Sequence, residues 1–382
     1  MMKEVETKHE IIEKYYISLI EENKVFSGEQ LPSEHEIANL FNVSRHTVRQ
    51  SLSYLVQEGW IYKERGRGSF YANKKTNEIK KNVAVLTTYI SDYIFPKIIS
   101  GIEEELRKKG YNLLLFNSNN DIENERICFE NIINQDIDGL IVEPAQSTIN
   151  NLHHESIKKL EKNNIKYIAI NANCDEENSA FIIVDDEQGG YKLTNYLLEL
   201  GHKNIAAIFK ADDLQGEKRR KGYVKALKEY DLSFDKNIVG EYITDNEEMY
   251  IDQFTKKILS LENRPTSIVC YNDKVALRVI DNCRKAGIKI PKDLSIVSFD
   301  DSSLAVLSDV KLTTIKHPKE EMGIKAAKCI IDMIEGRIYK PQYTYSAELI
   351  VRDSCSRVWF LSLLHKWFRF LNYWSKYETT NL

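Results

Sequence analysis

Two textures of apolar and polar positions divide the chain. Over KHEIIEKYYISLIEEN (residues 8–23), Ile11, Ile12, Tyr15, Leu19 and Ile20 recur at helical spacing and form one apolar stripe, which predicts a packing helix. In LPSEHEIANLF, Ser33 offers a helix cap and Glu36 stands three residues on, the capping-box spacing, so a short second helix should end near Phe41. Asn42-Val43 turns the chain, and Ser44 caps a third helix in RHTVRQSLSYLVQEGW, where Val48, Leu52 and Leu55 share a face and Gly59 stops the helix. WIYKERGRGSFYANK then reads as two short strands around Arg65-Gly66-Arg67-Gly68, whose glycines permit positive φ.

The second texture begins at Asn82. Short apolar runs alternate with helical stretches: VAVLTT (83–88), NLLLFN (112–117), GLIVEP (139–144), YIAINA (167–172), IAAIFK (205–210), SIVCYN (267–272) and SIVSFD (295–300). That is the pattern of a parallel sheet wrapped by helices. Each run is apolar throughout and ends in polar residues, so the strands are expected to be buried on both faces and to emerge at a ligand-binding carboxyl edge. Between the textures, NKKTNEIKK (73–81) is highly charged and aperiodic, a solvated linker. The expected division is a winged domain at 1–72, a linker at 73–81, an α/β unit at 82–354 and an aromatic-rich tail at 355–382.

Composition narrows the picture. A length of 382 residues suits one small and one large unit, and 42% hydrophobic with 29% charged residues describes a folded chain. The opening MMKEVETKHE has no basic stretch followed by an apolar core, and no uncharged apolar run before residue 353 approaches the ~18 residues that span a bilayer. A cytoplasmic protein with no membrane partner is expected. The six cysteines are far apart with no CxxC pair, which argues against a zinc site or a disulfide framework.

A net charge of −4 means that any DNA contact must come from a local basic patch. The first eighty residues hold one. In a helix-turn-helix the second helix enters the major groove with its N-terminal residues at the base edges, which places Arg45 and Arg49, one turn apart, to reach guanine O6 and N7. Lys63, Arg65 and Arg67 on the hairpin, with Gly68 allowing close backbone approach, suit phosphates or the minor groove.

In the large unit the polar strand endings are Tyr89, Ser91, Asp92, Glu143, Asn171, Asp185, Asp186, Lys210, Asn272, Asp273, Asp300 and Asp301. Carboxylates and amides take hydroxyl hydrogen bonds, and with Tyr93, Phe95 and Phe299 to stack on ring faces they point to a polyhydroxylated ligand such as a sugar. At each position, capping the following helix is the alternative role. The pairs Asp185-Asp186 and Asp300-Asp301 raise acid–base or metal chemistry, but neighbours on a strand face opposite ways, so neither pair is by itself a two-carboxylate site. No GxGxxG, P-loop, HExxH or GxSxG string is present, so no cofactor, metal or catalytic nucleophile is expected.

The run LPSEHEIANLFNVSRHTVRQSLSYLVQEGWIYKERGRGSF resembles the winged-helix domain of the GntR family nearly end to end. The resemblance implies that Glu34, Arg45, Thr47 and Arg49 face an operator beyond the cap at Ser44, with Arg65, Arg67 and Gly68 beside them. Glu34 would accept from a cytosine amino group or orient an arginine. Residues 82–352 resemble the LacI-type effector domain, similar to periplasmic sugar-binding proteins, which implies two parallel α/β lobes closing on a ligand. RRKGY puts Arg219 at that family's ligand arginine, CYNDKVAL puts Asn272 and Asp273 at its ND motif, and SFDD puts Asp300 at its binding carboxylate. LTTIKHP is its late lobe-crossing segment and makes His317 a further contact.

The pairing of these two domains, with TTYISDYIFPKIISGIE, DGLIVEP, FKADDLQG and SFDD, resembles the arabinose-metabolism repressors of Gram-positive bacteria. That implies an L-arabinose effector and a homodimer on a pseudo-palindromic operator, with sugar and operator weakening each other's binding. The alternatives are the same architecture answering another pentose, a hexose or a nucleoside, and a sugar-processing enzyme with an incidental N-terminal module. The tail, with Trp359, Trp367 and Trp374 among its aromatics, departs from the family pattern and is expected to be an extension without an activity of its own, in preference to a membrane-surface helix.

Overall fold

The computed structural model describes residues 7–21, 29–64, 67–71, 81–91, 93–148, 152–173 and 179–358. The chain falls into two compact units, one ending at Ile79 and the other starting at Lys80. The expected linker therefore lies almost wholly outside the described residues, and the tail does so beyond Val358.

The first unit runs α1 (Lys8–Glu21), α2 (Glu34–Phe41), α3 (Arg45–Gln57), β1 (Ile61–Glu64) and β2 (Gly68–Tyr71). The capping box forms: the Glu36 N–H donates to the Ser33 hydroxyl, and the Ser33 N–H donates back to the Glu36 carboxylate at 2.7 Å. Asn42 ends α2 in the left-handed region at φ 49°, and the Ser44 hydroxyl then caps α3 by accepting from the Thr47 N–H. Strands β1 and β2 pair antiparallel, and residues 29–31 join their edge, with the Leu31 N–H donating to Ser69 and the Tyr71 N–H to Glu29. Val48, Leu52 and Leu55 bury fully, as their shared face predicts. The α1 stripe is rotated from the predicted one: Ile12 and Tyr16 reach the core, where the Tyr16 hydroxyl donates to the Pro32 carbonyl, while Ile11 is exposed.

The second unit has two lobes. The first contains β3 (Asn82–Thr87), α4 (Phe95–Lys108), β4 (Asn112–Asn117), α5 (Ile122–Ile133), β5 (Gly139–Val142), α6 (Leu152–Lys162), β6 (Lys166–Ile170) and β7 (Phe181–Val184). The second contains α7 (Asp186–Glu199), β8 (Ile205–Lys210), α8 (Leu214–Glu229), β9 (Val239–Tyr242), α9 (Glu247–Leu259), β10 (Ser267–Cys270), α10 (Asp273–Lys285), β11 (Ser295–Asp300), α11 (Leu304–Leu307) and β12 (Thr313–Lys316). The chain then returns to the first lobe for α12 (Lys319–Ile334) and β13 (Gln342–Tyr345), and ends in the second with β14 (Glu348–Ile350). It thus crosses between lobes after β7, after β12 and after β13.

The two six-stranded sheets have orders β13-β7-β6-β5-β3-β4 and β14-β12-β11-β10-β8-β9, parallel except for the β12–β14 pair. The expectation that every strand is buried on both faces fails at β4, an edge strand paired only with β3, where Leu115 is exposed. Close helix crossings flank the sheets. In the second lobe, a Cβ on Gly190 would lie 2.1 Å from the Arg219 carbonyl oxygen and one on Gly222 would lie 2.0 Å from that of Glu187, so only glycine lets α7 and α8 meet. That contact fixes where Arg219 projects. Chain beyond the expected end of the α/β unit stays on the second lobe: the Ser356 carbonyl faces His202 Nε2 at 3.0 Å and the Val358 N–H donates to Leu200.

Candidate functional site

On the first unit, the α2 N-terminus organises the basic face. The Glu34 carboxylate receives Arg49 Nε at 3.2 Å and Nη2 at 3.0 Å, and Lys63 Nζ from β1 at 3.3 Å. The Arg49 bond holds the Glu34 carboxyl below its ordinary value, so it stays ionised. Of the two roles foreseen for Glu34, the structure displays the arginine-orienting one. Arg45 Nη2 lies 2.9 Å from His35 Nδ1, so consecutive residues of α2 hold both arginines of α3. The Thr47 hydroxyl faces the Ser44 hydroxyl at 2.8 Å. Arg67 pairs with Glu64 and covers the Phe70 ring, and its carbonyl accepts from Gln30 Nε2. Gly68 sits at φ +119°, a conformation side chains rarely adopt. Arg65 lies outside the described residues.

In the second unit a cavity opens between the carboxyl edges of the two sheets. Of the residues the sequence singles out, it brings together Tyr89, Tyr93, Phe95, Glu143 and Asn171 from the first lobe with Lys210, Asn272 and Asp300 from the second. Asp92 lies outside the described residues. Asn120, Asp213, Glu247, Tyr271 and Lys274 also line the cavity and were not foreseen as ligand contacts. Asp213 had a legible signal, since it follows a strand and caps α8. Asn120, in a turn at φ +55°, had none.

The first-lobe wall is a buried relay. The Glu143 carboxylate accepts from the Thr88 hydroxyl at 2.6 Å and from Asn171 Nδ2 at 2.8 Å, and Asn171 Oδ1 faces His317 Nε2 at 2.9 Å. Because the Asn171 amide gives its nitrogen to Glu143, its oxygen must accept, so His317 carries its proton on Nε2. Burial pushes the Glu143 carboxyl up and the His317 imidazole down to about 4. His317 thus backs this wall without lining the cavity, and its Nδ1 has no hydrogen-bond partner in the structure among the described residues.

The second-lobe wall is built around Arg219, which also stands behind the cavity lining. Its Nε donates to Asp186 at 2.8 Å, Nη1 to the Tyr271 carbonyl at 2.6 Å and Nη2 to Asp300 at 3.2 Å. Phe299 does not reach the cavity; its ring packs 4.2 Å from the Arg219 guanidinium carbon. Burial works against the guanidinium charge, but Asp186 and Asp300 outweigh it and hold Arg219 protonated. Asp186 is the first residue of α7 and Asp300 the last of β11, so two carboxylates from different acid pairs converge on one cation. The other Asp300 oxygen accepts from the Tyr93 hydroxyl across the cleft at 2.8 Å.

Two further foreseen ligand residues are also occupied otherwise. Asp185 caps α7 by accepting from the Gln188 N–H at 2.9 Å. Asp273 accepts from the hydroxyls of Ser298, Ser302 and Thr314 and from the Ser302 N–H, and burial with the nearby Asp300 lifts its carboxyl to about 6. Lys210 is buried in the lining, 3.7 Å from Asp212 and 3.6 Å from Asp213. Burial opposes its charge, but the two aspartates keep its ammonium above the ordinary value. The cavity therefore offers donors, acceptors and aromatic faces at fixed places. Among the described residues no group of three His, Cys, Asp or Glu is placed to hold a metal ion.

Residues 11–70 match the gntR family of bacterial regulatory proteins, and residues 194–355 match the periplasmic binding protein-like domain. The chain is 43% identical over 363 residues to the arabinose metabolism transcriptional repressor of Halalkalibacterium halodurans, covering 92% of this chain and 97% of that one. The chain belongs to that repressor family. The repressor of the same name from Geobacillus stearothermophilus is 42% identical, over 93% of this chain and 98% of its own. A LacI family transcriptional regulator from Enterococcus faecium, solved with bound ribose, superposes with a TM-score of 0.63 at 26% identity, covering 73% of this repressor and all of that chain. These are transcription regulators, and the repressor is a DNA-binding regulator rather than an enzyme.

Proposed function

We propose that this chain represses arabinose-utilisation genes and leaves its operator when L-arabinose fills the cavity between the lobes. The observation that carries the reading is the cavity wall: buried carboxylate, amide and ammonium groups at fixed positions, with the Tyr89, Tyr93 and Tyr271 side chains beside them. Such a wall suits a small neutral polyol, whose hydroxyls both donate and accept. The relatives named for arabinose metabolism support the choice of sugar.

Glu143, Lys210, Asn272 and Asp300 take the sugar hydroxyls in this reading, together with Asp92, and Tyr89 and Tyr93 face its ring. Arg219, Asp273, Phe299 and His317 act from behind by fixing those groups, and Asp185 is a helix cap. On the DNA side, Arg45, Thr47 and Arg49 read base edges, Glu34 holds Arg49, and Ser44, Lys63, Arg65, Arg67 and Gly68 follow the backbone. Two copies would present two readers to a pseudo-palindromic operator in the cytoplasm. Among the described residues no helix is long and apolar enough to cross a membrane. Calorimetric titration of the full chain against L-arabinose, D-ribose, D-xylose, D-glucose and a nucleoside tests the effector. Uptake of L-arabinose with the tightest affinity of the panel is expected, and silence toward it while another member binds would overturn the sugar assignment.

A further inference from the structure

The residues after β8 do two things at once. Lys210 ends the strand inside the cavity, and residues 211–214 bond across to the first lobe. The Thr148 hydroxyl donates to the Ala211 carbonyl at 3.0 Å, and the Leu214 N–H donates to the Ser147 hydroxyl at 2.9 Å. Beside them, Asn120 Nδ2 donates to the Thr244 hydroxyl at 2.6 Å. The direction of that bond is fixed: Asn120 Oδ1 already accepts from the Gln146 N–H, and the single Thr244 hydroxyl proton goes to Asp212 Oδ2 at 2.6 Å.

Asp212 is only 2% exposed, and its two oxygens have separate surroundings. Oδ2 takes both the hydroxyl and the N–H of Thr244. Among the described residues Oδ1 has no hydrogen-bond partner, and it lies 3.7 Å from Lys210 Nζ, beyond hydrogen-bond reach but within Coulombic hold. We propose that Asp212 is a positioning residue that ties the cavity ammonium of Lys210 to the lobe-crossing Asn120–Thr244 bond, making the seating of a sugar hydroxyl on Lys210 and the closure of the lobes one coupled event.

The coupling follows from what each half leaves exposed when it breaks. A hydroxyl that gives its proton to a carboxylate becomes a better acceptor, so Asp212 strengthens the bond Thr244 accepts from Asn120. Opening the lobes takes Asn120 off the Thr244 hydroxyl and so weakens that hydroxyl as a donor to the buried Asp212 carboxylate, and removing Lys210 strips the same carboxylate of its cation. Lys210 thus holds its ligand-facing pose best when the lobes are shut, and a ligand that fixes Lys210 favours the shut form over the open one.

This inference rests on the sugar reading of the cavity, and its test separates the two. L-Arabinose binding to the full chain is measured by calorimetry and stopped-flow dissociation for the parent, Thr244→Val, Thr244→Ser, Asp212→Asn and the Thr244→Val/Asp212→Asn double variant. Losing a lobe-crossing hydrogen bond should weaken binding roughly five- to tenfold in Thr244→Val, chiefly through faster dissociation. Thr244→Ser keeps the hydroxyl and should bind like the parent. Asp212→Asn should lose at least as much, and the double variant no more than Asp212→Asn alone. A parent that binds L-arabinose while Thr244→Val binds equally well, or losses that multiply in the double variant, would overturn the coupling and leave the sugar reading standing. A parent that takes up no L-arabinose would overturn both.

Discussion

Replacing Arg219 with Met should destabilise the effector unit by several kcal/mol while leaving the DNA-reading unit unaffected. The guanidinium is nearly enclosed, its side chain 3% exposed, and it is the cation shared by Asp186 and Asp300. Breaking a buried ion pair by removing one partner costs about 3–5 kcal/mol, because the charges left behind are uncompensated. For a domain of this size that lowers the melting temperature by on the order of 10 °C. Differential scanning calorimetry of the full chain should show the loss in the effector transition alone.

The pH dependence gives a second readout of the same substitution. Without the guanidinium, nothing offsets the burial that pushes the Asp186 carboxyl up. A carboxylate whose folded pKa lies above its unfolded value binds more protons in the folded state, so the penalty is full above the folded pKa and shrinks as pH falls toward about 4. Because the parent's own Asp186 already stands at about 6, the gap between Arg219→Met and the parent should narrow as pH falls toward that value and stay level below it. A cost below about 1 kcal/mol, or a gap that widens on acidification, would refute the account of Arg219 as the clamp on two buried carboxylates.

Three further outcomes follow. Because burial depresses His317 to about 4 against an ordinary value near 6.5, the unfolded chain binds the extra proton between those values, and stability is lost as pH falls through that window. His317→Gln, which keeps a donor for Asn171, should remove roughly 3 kcal/mol of that pH dependence in denaturant titrations; an unchanged pH slope would count against a neutral His317. Arg49→Ala should weaken operator binding at least about tenfold in fluorescence anisotropy and leave sugar uptake as in the parent, whereas intact operator affinity would mean that α3 is not the reading helix. Glu34→Ala frees Arg49 and Lys63 and removes a negative charge, so affinity for scrambled duplex should rise and discrimination fall at about 50–200 mM salt; preserved discrimination would show that Glu34 orients nothing.

The DNA-reading unit was the more legible half, because its signals are local. Caps at Ser33 and Ser44, the turn at Asn42 and the stop at Gly59 each act within three or four residues, and each is found where its chemistry demands. The sheets were legible where strands are central and apolar. Strands β9, β12 and β13 pass unseen because they are short edge or near-edge segments with few apolar positions, and β7 because a four-residue run carries no periodicity. The cavity was half legible. Glu143, Lys210 and Asp300 announce themselves at strand ends, whereas Asn120 and Glu247 reach the cavity only because the crossings between lobes fold two distant edges together. Strand geometry, which would turn Asp185 and Asp186 to opposite faces, does not apply at this pair. In the structure Asp186 belongs to α7 and shares its cation with Asp300, a long-range pairing that no spacing rule anticipates.

One chain is expected both to read DNA and to release it on binding L-arabinose. The most direct test is an electrophoretic mobility shift of the full chain on a duplex it has itself selected from a random-sequence library, with and without L-arabinose. A retarded complex should form, dissolve as L-arabinose is added and persist with D-glucose. A complex that withstands saturating L-arabinose, or that forms only in its presence, would overturn sugar-released repression.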